Sequence, residues 1–348
     1  GITIDVAYKY FSTPKRKFIV ADTPGHIQYT RNMVTGASTA DMMIVLIDAR
    51  HGVIEQTRRH SFIASILGIK QVVVAINKMD LVAYSEDVFD SIVKDYFAIA
   101  DYLKLENVVY IPIAAKPGDN VVTYSSNMDW YQGPALLEYL ENVDVLNNFN
   151  HEKFRFQVQY VIRPQSAELH DFRGYAGRIQ SGVLRVGDEV EVMPGNLKSK
   201  IKSIDVAGVS KEMAFAPQSC TFQLEDNIDV SRGDLFVHHL SDVKVDNEVE
   251  AILCWMGEKN MIEGGKYLLQ KNARTVRSII KRIDYKINVN ELVKEESPSE
   301  VKLNDLVKVL IKTQSPLVYD QYSELKANGS AILIDETSNI TVGALMFE

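Results

Sequence analysis

Hydrophobic and polar positions fall into two textures along the chain. Up to about residue 145, short apolar runs alternate with longer amphipathic ones, the pattern of strands feeding helices in a βαβ layout. Residues 17–21, 42–47, 72–76 and 108–113 predict strands. Residues 56–67, 85–103 and 133–143 have helical periodicity, the second with Ser85 as its cap and Glu86 and Asp87 in its first turn. Residues 1–145 are therefore expected to form an α/β domain. The alternating segment 4–11 reads as a strand already under way behind Gly1, so the sequence is expected to begin inside that domain.

The polar stretch 146–151 reads as a linker, after which Gly-punctuated strands replace helices. Residues 154–162, 174–179, 184–190 and 200–206 predict a barrel-like domain over 151–241. A second all-β domain over 243–348 follows from strands at 250–255, 266–270, 275–287, 305–311 and 331–334. The charged run 294–298 predicts a solvated turn. At about 100 to 200 residues per domain, 348 residues suit two or three domains.

Composition works mainly by exclusion. A hydrophobic fraction of 46% with 24% charged residues is globular, and no apolar run approaches the ~18 residues of a membrane span, so no membrane is expected. The two cysteines, Cys220 and Cys254, lack CxxC spacing and are expected in buried strands of a reduced, cytoplasmic protein. A net charge of −8 argues against a general nucleic-acid binder, although a local basic stripe is compatible with an acidic total.

Candidate chemistry sits at predicted strand ends. Asp22-Thr23-Pro24-Gly25-His26 follows the strand 17–21. A carboxylate there can hold Mg²⁺ through water, and a glycine three residues on lets a backbone N–H approach a terminal phosphate; the same residues also make ordinary turns. Asn77-Lys78-Met79-Asp80 ends the strand 72–76 and is more specific. Its Asp80 carboxylate can accept from the N1–H and 2-amino edge of guanine, a pattern adenine lacks, while Asn77 ties loops together and the Lys78 stem covers the base. Ala114-Ala115-Lys116 ends the strand 108–113, where a backbone N–H can reach guanine O6, and the Thr3 hydroxyl before the first strand can reach Mg²⁺ and the γ-phosphate.

Four such signals in this order resemble the P-loop GTPases of the translation-factor type, over nearly the whole chain. The resemblance implies an α/β P-loop GTPase domain with its N-terminal part missing, followed by two all-β barrel domains. It implies GTP/GDP and Mg²⁺ as cofactors, Thr3 and Asp22 at the metal, Gly25 as the switch II pivot and His26 as the residue orienting the attacking water. Ala114 stands where the family usually has serine. The GxxxxGK[ST] loop is absent, and a preceding segment is expected to carry it, since its backbone cradle supplies most of the phosphate grip.

Within that group, Gln28-Tyr29-Thr30-Arg31-Asn32-Met33, Thr35-Gly36-Ala37-Ser38-Thr39 and Gln56-Thr57-Arg58-Arg59-His60 are most similar to the GTPase subunits of bacterial sulfate adenylyltransferases. Ile27 departs from the acidic residue usual there. This resemblance implies a catalytic small subunit as heterodimeric partner, with GTP hydrolysis here driving adenylyl sulfate and pyrophosphate formation there. The alternative is an elongation-factor-like carrier of aminoacyl-tRNA. Trp130-Tyr131 and Trp255-Met256 are expected to pack rather than to react.

Overall fold

The computed structural model describes residues 6–23, 29–145, 151–164, 172–288 and 293–348. The chain divides into two compact units, Gly1–Val145 with Ile287–Lys294 and Leu146–Lys286 with Glu295–Glu348.

The first unit runs β1 (Ala7–Ser12), β2 (Lys17–Asp22), α1 (Thr30–Ala37), β3 (Met42–Asp48), α2 (Glu55–Ile66), β4 (Gln71–Asn77), α3 (Glu86–Tyr102), β5 (Asn107–Pro112) and α4 (Leu136–Asn142). Strands β3, β4 and β5 pair in parallel with Asp48 beside Asn77 and Ile76 beside Pro112, so all three end at one edge. The continuous apolar run 72–76 suits a strand covered on both faces, and each of those residues is fully buried. Helix α2 packs on β3 and α3 on β5. Val73 and Ala75 on β4, Ile111 on β5 and Ile113 just after it are covered by Val121, Tyr131 and the α4 residues Leu136 and Tyr139. Ser85 caps α3, its Oγ accepting the Val88 N–H at 3.4 Å.

Two expectations change here. Strand 17–21 is not paired with the parallel sheet: among the described residues β2 pairs with β1 alone, antiparallel, with Ala7 opposite Asp22. The short connection 13–16 explains this, because a tight turn permits only antiparallel neighbours; it is closed by Thr13 N–H donating to the Arg16 carbonyl at 2.9 Å. Helix α1 was not foreseen, since it contains glycine and β-branched residues and has no side-chain cap at Tyr29. Its Gly36 permits a close approach: a Cβ there would lie 2.5 Å from Thr23 Cγ2.

In the second unit, β6 (Arg155–Gln157), β7 (Gly174–Ser181), β8 (Glu189–Met193), β9 (Leu197–Val206), β10 (Ser219–Leu224) and β11 (Leu235–His238) join in the order β8-β11-β6-β7-β10-β9. Pairing of β8 with β9 closes the ring into a barrel filled by Phe156, Tyr175, Phe222 and Phe236. A second barrel consists of β12 (Lys244–Trp255), β13 (Lys266–Lys271), β14 (Arg274–Asn288), β15 (Leu306–Tyr319), β16 (Ser330–Ile334) and β17 (Thr341–Phe347), ordered β13-β16-β17-β12-β15-β14 and closed by β13 with β14. Trp255, Leu253, Ile280, Val309 and Leu345 are in its core.

The expected strand 154–162 is interrupted at Val158, whose N–H and carbonyl pair instead with Asp234 and Gly233. The run 294–298 is not simply a turn, because Val293–Glu296 is an exposed strand beside β14, its charges suiting a sheet edge. Cys220 and Cys254 are buried strand residues, and burial pushes both thiols up to about 12.

Candidate functional site

The common edge of β3, β4 and β5 brings Asp48, residues 77–80 and residues 114–116 together. Asn77 is the tie. Its Oδ1 accepts the Lys78 N–H at 2.7 Å and the Ala115 N–H at 3.0 Å, locking one loop to the other. Lys78 takes a left-handed backbone with φ 65°, which turns the chain sharply after the strand. Met79 is fully buried and donates its N–H to the Ile113 carbonyl at 3.2 Å, fixing the 3₁₀ turn Met79–Val82 that holds Asp80. Asp80 is half-buried and its carboxylate makes no hydrogen bond among the described residues. In the third loop the N–H groups of Ala114 and Ala115 are taken by the Asp119 carbonyl and Asn77, so that among the described residues the N–H of the exposed Lys116 is the one of the three left open.

Two further groups of side chains hold these loops. At the end of β3, Asp48 accepts Nε and Nη2 of Arg50 at 3.0 and 2.7 Å and Nζ of Lys78 at 2.8 Å. The Arg50 guanidinium and then the Lys78 ammonium hold the Asp48 carboxyl well below the usual carboxylate range, against the opposing effect of partial burial. Beyond the 3₁₀ turn, Ala83 and Tyr84 both have φ 53°, a conformation that costs about 1–3 kcal/mol per residue and persists only where neighbours impose it. Here Trp130 Nε1 donates to the Tyr84 carbonyl at 3.0 Å, and the Tyr84 hydroxyl to Asp119 Oδ2 at 3.0 Å. The carboxylate of Asp119 also accepts from Ser125 Oγ at 2.6 Å and Asn127 Nδ2 at 3.3 Å, and Trp130 lies against Phe89. Sequence reasoning missed Asp48, Tyr84 and Asp119, and took Trp130 for packing alone.

Among the phosphate-side candidates, Asp22 stands exposed at the end of β2 with Thr23 beside it. Thr3, Pro24, Gly25 and His26 lie outside the described residues. Asp22 offers the hard, acidic oxygen that Mg²⁺ prefers.

An α/β domain with two tied loops at its strand ends, followed by two closed barrels, defines the class of translation-factor-like GTPases. Residues 1–151 match the model of the elongation factor Tu GTP binding domain, and residues 248–347 that of the GTP-eEF1A C-terminal domain-like family. The chain is 50% identical over 346 residues to sulfate adenylyltransferase subunit 1 of Saccharophagus degradans, covering 99% of this chain and 72% of that one. It is 49% identical over 347 residues to the bifunctional enzyme CysN/CysC of Mycobacterium tuberculosis, covering 99% of this chain and 56% of the relative. Sup35 complexed with GDP superposes with a TM-score of 0.53 at 23% identity, over 97% of this chain and 83% of that one, a likeness of fold. The chain belongs to the sulfate adenylyltransferase subunit 1 family. It spans just over half the length of the bifunctional relative. Among the described residues no helix is long and apolar enough to cross a membrane.

Proposed function

We propose that this chain is the guanine-nucleotide-handling part of a sulfate adenylyltransferase subunit, in which GTP binding and hydrolysis drive formation of adenylyl sulfate and pyrophosphate from ATP and sulfate in a separate catalytic small subunit. The observation that carries it is the Asn77 tie between two loops at one sheet edge, in a chain half identical to sulfate adenylyltransferase subunit 1 of Saccharophagus degradans.

Asp80 then accepts from guanine N1–H and the 2-amino group, Lys78 covers the base, buried Met79 anchors the turn, and the 114–116 loop meets O6 through the Lys116 N–H. Asp22 and Thr3 would hold Mg²⁺, which neutralises charge on the β- and γ-phosphates when bound. Thr23, Pro24 and Gly25 belong to the γ-phosphate-sensing motif, in which Gly25 offers its backbone N–H to the γ-phosphate, and His26 orients the water that attacks phosphorus and releases GDP and phosphate. Residues 1–145, 151–241 and 243–348 act as the nucleotide domain and two barrels, in the cytoplasm.

The test is pyrophosphate release from ATP and sulfate by the full-length protein mixed with the catalytic subunit, with GTP, with GDP and with neither. Stimulation by GTP alone supports the reading. Equal rates in all three overturn it, and GTP-dependent capture of aminoacyl-tRNA would favour the carrier alternative.

A further inference from the structure

We infer that Asp48 is a positioning residue for guanine-nucleotide binding, acting through Lys78, an inference that rests on the proposed reading of the 77–80 loop. Parallel register sets Asp48 directly beside Asn77, so its carboxylate meets the Lys78 side chain as the chain turns out of β4. The contact at 2.8 Å fixes the ammonium end of Lys78 while its left-handed backbone fixes the other. The four-carbon stem is thereby stretched between two points instead of sampling its rotamers, and a stem that is to lie against a purine face loses less freedom on binding. Arg50 grips the same carboxylate through two nitrogens and keeps it ionised and oriented, yet Asp48 Oδ2 still has room for both cations. Lys78 touches no edge of the base in this reading, so Asp48 governs how tightly a purine nucleotide is held and not which purine is chosen.

The experiment measures equilibrium binding of fluorescently labelled GDP, with unlabelled GTP and XTP as competitors, to the full-length protein as wild type, Asp48→Asn, Lys78→Ala and the double variant. Asp48→Asn is expected to weaken GDP binding by roughly two- to five-fold, the range of a partly exposed ion pair, with the GTP-to-XTP ratio unchanged. In the double variant, binding should be no weaker than in Lys78→Ala alone. Arg50→Ala, which removes the group that orients the carboxylate but leaves its contact with Lys78, should weaken GDP binding no more than Asp48→Asn does. Wild-type affinity in Asp48→Asn, additive losses in the double variant, or a shifted GTP-to-XTP ratio would each overturn the inference. Thermal unfolding of each variant guards against misfolding, since Asp48→Glu, which keeps the charge, should restore part of the affinity if Asp48→Asn is unstable. A wild-type protein that binds no guanine nucleotide would instead overturn the underlying reading.

Discussion

The edge of the parallel sheet gathers Asp48, Lys78, Arg50 and Asp119 where solvent reaches them, whereas the junction of the two barrels seals a similar set of groups away. Arg155 there donates from Nε and Nη2 to the two oxygens of Asp320, both at 2.8 Å, with the two side chains 0% and 3% exposed; those of Lys78 and Asp48 are 44% and 22% exposed. Asn328 donates to Asp320 at 2.7 Å and accepts from the buried Lys271, while Arg155 Nη1 reaches Ser241 Oγ at 2.7 Å. Around this network Met193, Leu235, Val237 and Val318 form an apolar seam. In the sealed network every member answers another, so its groups serve rigidity. At the sheet edge the Asp80 carboxylate and the Lys116 N–H are left over, and leftover polar groups on strained loops are what a ligand can use.

The contrast breaks most visibly at Arg155. Arg155→Ala leaves Asp320 buried beside an empty site, and should destabilise the barrel unit by about 3–5 kcal/mol in denaturant unfolding without altering base selectivity. A loss under about 1 kcal/mol would mean that water already reaches the network.

The next effect belongs to the open side. His26→Ala should slow GTP hydrolysis by roughly 10² while leaving GTP affinity within a few-fold and thermal stability unchanged, because a residue that orients water contributes to the transition state alone. Single-turnover hydrolysis beside a binding titration checks it; retained turnover would remove His26 from that role.

A pH-dependent effect sharpens the sealed side. Desolvation, reinforced by Arg274 and Arg155 and opposed by Asp320, lowers Lys271 from 10.5 to about 7. Between those pH values the unfolded chain holds a proton that the folded chain lacks, so this group's contribution to stability rises with pH across that window and is flat below it. Compared with Lys271→Met, the wild type should gain stability between pH 7 and 10 in urea titrations. Parallel curves would show that Lys271 titrates as in water.

Legibility in the sequence followed the same division. That residues 77–80 and 114–116 sit in loops at strand ends could be read because each run follows directly on an apolar strand, and Ser85 could be read as a cap because that chemistry is local. Asp48 could not, since its role depends on the parallel register that sets it beside Asn77 and within reach of Lys78, thirty residues further along the chain. Arg155 and Asp320 are 165 residues apart, and nothing local marks either as half of a buried pair. The bounds of β10, and β11 and β17 altogether, escaped the sequence pattern for different reasons. Thr341–Phe347 is apolar almost throughout, and Leu235–His238 is too short to show a period. The alternation of Cys220, Phe222 and Leu224 in β10, by contrast, was there to be seen.

The most direct test of the whole account asks whether the base read at the sheet edge is what drives the partner's reaction. Asp80→Asn replaces a carboxylate that accepts from guanine by an amide that can donate to the extra carbonyl of xanthine. In the pyrophosphate-release assay with the catalytic subunit, the variant should lose its response to GTP and regain it with XTP. Undiminished stimulation by GTP, with none by XTP, would contradict the assignment of this edge as the guanine reader.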